Sequence, residues 1–199
     1  MKQLTDNQPK TTSKIFTIPN ILSFFRICLI PWIVWLYCVE QEYQTTGYIL
    51  ILSGITDIVD GFLARKFNMI SDLGKILDPI ADKLTQAVML ICLMVRFPLM
   101  ILPLILMVVK ETFMGVTGVL VIQKKGIVHG ANWHGKAATV LLYAMMINHV
   151  FWTEIPPIAS TVSIILCTVM IGISFVLYGI RNIKALRQCE PTQEGAVNG

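Results

Sequence analysis

Charge is what this chain has least of. Only 14% of its 199 residues are Asp, Glu, Lys or Arg, against 55% hydrophobic, and the mean hydropathy is +0.68. A soluble domain of this length needs a charged surface around its core, so that class is excluded. Internal repeats, low-complexity blocks and nucleic-acid motifs are absent, and no nucleic-acid partner is expected. The five cysteines (Cys28, Cys38, Cys92, Cys167, Cys189) show no paired spacing, which argues against a disulfide framework or a structural zinc site. Four of them lie in apolar stretches, where Cys behaves as a small hydrophobe. The first apolar stretch is long, contains Arg26 and lacks a small-residue cleavage pattern, so it reads as a retained span rather than a signal peptide.

What is present in quantity is apolar sequence. Runs near the roughly 20 residues needed to cross a bilayer occur about six times, over 21–39, 46–64, 77–95, 98–122, 137–153 and 158–180. The expected fold is an all-α integral membrane protein of six transmembrane helices. Ile15, Phe16 and Ile18 alternate with Lys14 and Thr17, suggesting a short amphipathic helix before the first span. Residues 1–13 read as a flexible N-terminus, 14–187 as one membrane domain and 188–199 as a disordered tail. Basic residues gather before the first span, around Arg65–Lys75, in the Lys124–Lys136 loop and after Arg181, whereas the first and fifth connections have none. The positive-inside rule then puts both termini, and the Arg65–Lys75 connection, on the cytosolic face of a cell membrane.

An ionisable residue at mid-membrane costs roughly 2.5–3.5 kcal/mol on insertion scales, so the aspartates around that connection need a reason. Asp57, Asp60, Gly61 and Ala64 fall at i, i+3, i+4 and i+7 on one helical face, and Gly74, Asp78 and Asp82 step by four along another. Hard cations such as Mg²⁺ take oxygen ligands and bind carboxylates together with substrate phosphates. Gly61, Ala64 and Gly74 leave room for a group to approach the backbone, and Arg65 can fork onto a phosphate. A metal-bridged diphosphate is the natural ligand of such a cleft, and phosphoryl transfer the natural reaction.

Written out, Asp57-x-x-Asp60-Gly61-x-x-Ala64-Arg65-x8-Gly74-x-x-x-Asp78-x-x-x-Asp82 resembles the complete signature of the CDP-alcohol phosphotransferases. The stretches from Phe16 to Arg26 and from Leu73 to Leu84 are similar to bacterial phosphatidylglycerophosphate synthases. The resemblance implies a six-helix membrane core and a homodimer. It also implies Asp57, Asp60, Asp78 and Asp82 as ligands of Mg²⁺ or Mn²⁺, with Asp82 also the general base. Asp57, Gly61, Ala64, Arg65 and Gly74 would bind the CDP moiety of CDP-diacylglycerol. The implied reaction moves a phosphatidyl group onto an alcohol, with release of CMP. Glycerol 3-phosphate is the leading acceptor; phosphatidylglycerol (giving cardiolipin), an inositol compound or an amino-alcohol are the alternatives.

Other readings stand beside this one. The aspartates read instead as buried ion pairs would leave the glycines unexplained, and a cation transporter would not need the Gly–Ala–Arg pattern. Arg26 is a substrate ligand or a snorkelling side chain. Lys110 is an acceptor ligand, as the resemblance implies, or one half of an ion pair with Glu111. Gly135-Lys136-Ala-Ala-Thr139 resembles a Gly-Lys-x-Lys-Thr motif of the synthases, with Ala138 in place of the second lysine. Lys136, Lys110 and Arg26 are therefore the candidate acceptor ligands. His129 and His134 read as solvated or acceptor-facing rather than as metal ligands.

Overall fold

The computed structural model describes residues 18–66, 72–125 and 133–187. They form α1 (Ile18–Cys38), α2 (Tyr43–Lys66), α3 (Asp72–Met94), α4 (Ile101–Lys125), α5 (Trp133–Phe151) and α6 (Pro157–Arg187), with a 3₁₀ turn at Pro98–Met100 leading into α4. Each stretch expected as a span overlaps one of these helices. Residues 1–13 and 188–199, and the expected amphipathic segment up to Thr17, lie outside the described residues.

At 1.5 Å rise per residue, the 21 residues of α1 reach about 32 Å, the thickness of a hydrocarbon core. Among the described residues, three stretches (Asn20–Cys38, Pro98–Val119 and Pro157–Ile183) are long and apolar enough to cross a membrane. α2, α3 and α5, at 24, 23 and 19 residues, also have the length. Every helix turns large apolar side chains outward, among them Trp32, Ile58, Ile91, Ile105, Val140 and Val162. Soluble monomers do not leave such surfaces bare. This is the outside of an α-helical membrane protein, whose backbone polar groups are satisfied within each helix.

The chain divides into two compact units, one up to Cys92 and one from Leu93. In the first, α1 packs against α2. Its buried positions Ser23, Arg26, Ile30, Ile33 and Tyr37 recur at helical spacing as one stripe, and α2 answers with Thr46, Leu50 and Ser53. Gln41, with φ of 55°, turns the chain between them. α3 buries Ala81, Thr85, Gln86, Met89 and Cys92. Its Pro79 has no N–H and so releases the Lys75 carbonyl from the helical ladder, one turn from Asp78.

Sequence spacing did not foretell one contact in this unit. Near the C-terminal ends of α1 and α3, the thiols of Cys38 and Cys92 stand 3.8 Å apart. Both are free, and small rotations would bring them to bonding geometry. Mild copper–phenanthroline oxidation should therefore remove two maleimide-reactive thiols per wild-type chain and none from Cys38→Ser. Full retention of thiols in the wild type would mean that α1 and α3 do not meet there.

In the second unit α6 is the hub, packing on both α4 and α5. Its buried stripe runs Ser160, Ile164, Cys167, Ile171, Ser174, Tyr178 and Asn182. Phe113 of α4 meets Phe175 edge-on at 5.3 Å, and the Asn182 amide donates to the Thr117 hydroxyl at 2.8 Å. At the other end His149, fully buried, donates from Nδ1 to the Met145 carbonyl at 2.8 Å and pairs through Nε2 with the Ser160 hydroxyl at 3.0 Å. Phe97 stacks edge-on against its ring at 4.8 Å. This histidine ties α5 to α6 and serves as a structural strut.

Candidate active site

The carboxylates are the polar ends of the stripes that pack the first unit. Asp57 follows Ser53 by one turn on α2, and Asp78 and Asp82 precede Gln86 on α3. Because α1 and α2 run in opposite directions, the start of α1 meets the end of α2. Arg26 of α1, only 1% exposed, forms an ion pair and hydrogen bond with Asp57, and its second terminal nitrogen lies 3.6 Å from Asp78. Ser23, one turn earlier on α1, donates its hydroxyl to Asp78. One helix thus holds carboxylates from two others, all within the first unit.

Asp57 and Asp78 remain 40% and 30% exposed, whereas Asp82 is only 14% exposed. The Gln86 amide nitrogen donates to both oxygens of Asp82 at 2.9 Å. The Lys83 ammonium lies 3.5 Å from Asp82 Oδ2 and donates to Gln86 Oε1 at 3.3 Å. Asp57 lies within electrostatic range of both Asp78 and Asp82. Gly74, the first member of the step-of-four series, is buried on α3.

Asp60, Gly61, Ala64 and Arg65 have their backbone in α2, but their side chains lie outside the described residues. Among the described residues no three His, Cys, Asp or Glu side chains converge at metal-ligating spacing. Asp57 and Asp78 face Arg26 and Ser23, while Asp82 faces Gln86. The donor set of Asp57, Asp78 and Asp82 is oxygen only and partly open to solvent, which fits a hard divalent cation better than zinc or a soft metal.

Of the candidate acceptor ligands, Arg26 sits in the carboxylate cluster and the other two in the second unit. Lys110, buried on α4, donates to Glu111 at 3.1 Å. Lys136 is exposed near the start of α5. Ala138, where the resembling motif has a second lysine, is 2% exposed on the buried face of α5. His129 lies outside the described residues, as does the side chain of His134. On α6 the Arg181 guanidinium lies 4.8 Å from the Tyr178 ring centroid. Tyr178 in turn closes on Gly135: a Cβ there would lie 2.6 Å from the phenolic oxygen and 2.9 Å from the ring. Gly135→Ala should overpack this contact and cost about 1–3 kcal/mol, read as a lowered unfolding midpoint in detergent; an unchanged midpoint would mean that the contact is loose.

Comparison with known proteins identifies the family of the chain. Residues 16–178 match the CDP-alcohol phosphatidyltransferase family, and the chain belongs to that family. It is 39% identical over 143 residues to a cardiolipin synthase (CMP-forming) of Streptomyces coelicolor, covering 67% of this chain and 65% of that protein. It is 36% identical over 96 residues to a CDP-diacylglycerol–glycerol-3-phosphate 3-phosphatidyltransferase of Rickettsia bellii, covering 47% of this chain and 53% of the relative. A protein of the same name from Aquifex aeolicus is 28% identical over 175 residues, covering 85% and 97%. The chain thus spans less than two thirds of the Streptomyces and Rickettsia proteins, at 65% and 53%, and nearly all of the Aquifex one, at 97%.

Proposed function

We propose that this chain is a divalent-metal-dependent phosphatidyltransferase, moving the phosphatidyl group of CDP-diacylglycerol onto glycerol 3-phosphate to give phosphatidylglycerophosphate and CMP. The observation that carries this reading is the complete aspartate signature lying within a family match over residues 16–178. The gathering of Asp57, Asp78 and Arg26 at one end of three helices supports it. Six membrane spans, one membrane domain over 14–187, cytosolic termini and active site, and a homodimer complete the proposal. The basic residues flanking the aspartate end support that orientation.

In this mechanism Asp57, Asp60, Asp78 and Asp82 hold Mg²⁺ or Mn²⁺. When bound, the cation offsets charge on the diphosphate and on the departing phosphate. Gly61, Ala64 and Gly74 leave space for the cytidine nucleotide, and Arg65 helps to hold its phosphates. Asp82 takes the proton of the acceptor hydroxyl as its oxygen attacks the phosphorus that carries the lipid. The new P–O bond forms, the bond to the CMP oxygen breaks, and CMP leaves. The proton then passes from Asp82 to solvent.

A second reading, with phosphatidylglycerol as acceptor, is favoured by Ala138. A dianionic phosphomonoester calls for several cations, and this position supplies a buried methyl group instead. A lipid phosphodiester carries one charge and needs fewer. Mass spectrometry of the lipid product, with glycerol 3-phosphate and phosphatidylglycerol offered together, separates the two. Phosphatidylglycerophosphate is the expected product. Cardiolipin alone would transfer the assignment to the second reading.

A further inference from the structure

The step of four that runs Gly74, Asp78, Asp82 along α3 does not stop at the base. Its next member is Gln86, the one residue in this series that the proposed chemistry does not use. Gln86 is fully buried, in a helix whose outer face is apolar. A buried primary amide is expensive unless it is paired, and an apolar side chain would fill the same space at lower cost. The amide is paired in one defined way. Its nitrogen lies 2.9 Å from both oxygens of Asp82, and its oxygen accepts from Lys83 at 3.3 Å. An ammonium can only donate, so the Lys83 contact fixes which end of the amide is oxygen and turns the N–H groups onto the carboxylate.

We propose that Gln86 is a positioning residue for the reaction, holding the Asp82 carboxylate from one helical turn deeper so that its outward lone pairs face the acceptor hydroxyl. This rests on the reading of Asp82 as general base. The Gln86 backbone lies about 6 Å further along the helix axis than that of Asp82, and its side chain reaches back to the carboxylate. Donation to both oxygens from that side resists rotation of the carboxylate about its last bond. Lys83 limits the amide in the same way, making a closed Asp82–Gln86–Lys83 triangle on one helix. A carboxylate free to rotate would spend less time aligned with the hydroxyl, and misplacement on the order of 1 Å can cost about a hundredfold in rate. Substrate affinity should be untouched, because Gln86 is buried behind the base.

The test compares Gln86→Met and Gln86→Asn with wild type and with Asp82→Asn. Methionine keeps the length without the donor; asparagine keeps an amide but draws it back by one methylene. CMP release gives kcat and the KM for CDP-diacylglycerol, and electron paramagnetic resonance gives Mn²⁺ binding without substrate. The expected result is a kcat lowered at least tenfold in whichever variant folds, with KM within twofold and Mn²⁺ affinity within threefold of wild type. A folded variant with wild-type kcat would overturn the proposal, as would a loss confined to KM or to Mn²⁺ binding. Asp82→Asn separates the two layers. If it still releases CMP at the wild-type rate, the base assignment itself fails. If it is inactive while the Gln86 variants are not, only the positioning role fails.

Discussion

Asp82→Asn should abolish CMP release from CDP-diacylglycerol, with a loss of at least about 10²–10⁴-fold, in a protein that still folds. Asparagine matches aspartate in shape and can still accept from the Gln86 amide, whose nitrogen now bonds both Asp82 oxygens at 2.9 Å. What it cannot do is take a proton. It also removes one negative charge from the oxygen donors, so weaker Mn²⁺ binding should accompany the loss. The unfolding midpoint measured alongside activity separates a chemical defect from a structural one. A folded variant retaining more than a tenth of wild-type activity would show that the acceptor proton leaves by another route.

The second large effect concerns stability. Arg26 is 1% exposed, while its partners Asp57 and Asp78 are 40% and 30% exposed. Removing the two ends of this arrangement is therefore not equivalent. Replacing both carboxylates by asparagine removes the compensating charges of a buried guanidinium, a change that costs about 3–5 kcal/mol in buried ion pairs. Arg26→Met takes the buried cation away and leaves carboxylates that water already reaches, so it should cost less. The triple variant, with Met at position 26 as well, should regain most of what the double variant loses. Unfolding midpoints in one detergent decide the matter. A double variant as stable as wild type, or a triple variant no better than the double, would contradict this account of how α1 holds α2 and α3.

Most of the helical framework was legible in the sequence because apolar runs and helix length report the same physical demand. The expected spans at 46–64 and 77–95 lie inside α2 (Tyr43–Lys66) and the range of α3 (Asp72–Met94) to within a residue or so. The helix ends were less legible. α6 continues to Arg187, beyond the expected 180, and Asn182 in this extension is buried and bonded to Thr117 of α4. The carboxylate face was visible through its spacing of three and four. The clasp from α1 was not, since Arg26 and Asp57 are 31 residues apart and Ser23 and Asp78 are 55 apart. Spacing cannot reveal such partners. Arg26 as sequence alone remained a choice between ligand and snorkelling side chain; burial shows it inside the cluster, bound to two aspartates. Gln86 could have been found, because it extends the step of four from Gly74. A lone amide on an apolar helix, however, carries no charge to mark it.

Lys110 marks the boundary of what spacing alone could decide. Its two readings, ion pair and acceptor ligand, have the same sequence signature. In the structure the ammonium donates to Glu111 at 3.1 Å. An acceptor phosphate would have to compete with that carboxylate, and Ala138 offers no second cation on α5 to help.

The most direct measurement is CMP formation by the purified protein given CDP-diacylglycerol and Mg²⁺, with and without glycerol 3-phosphate. The account predicts CMP release that depends on the acceptor, stops on chelation with EDTA and returns with Mg²⁺ or Mn²⁺. No CMP with glycerol 3-phosphate, phosphatidylglycerol, inositol compounds or amino-alcohols, from a protein verified as folded, would contradict it.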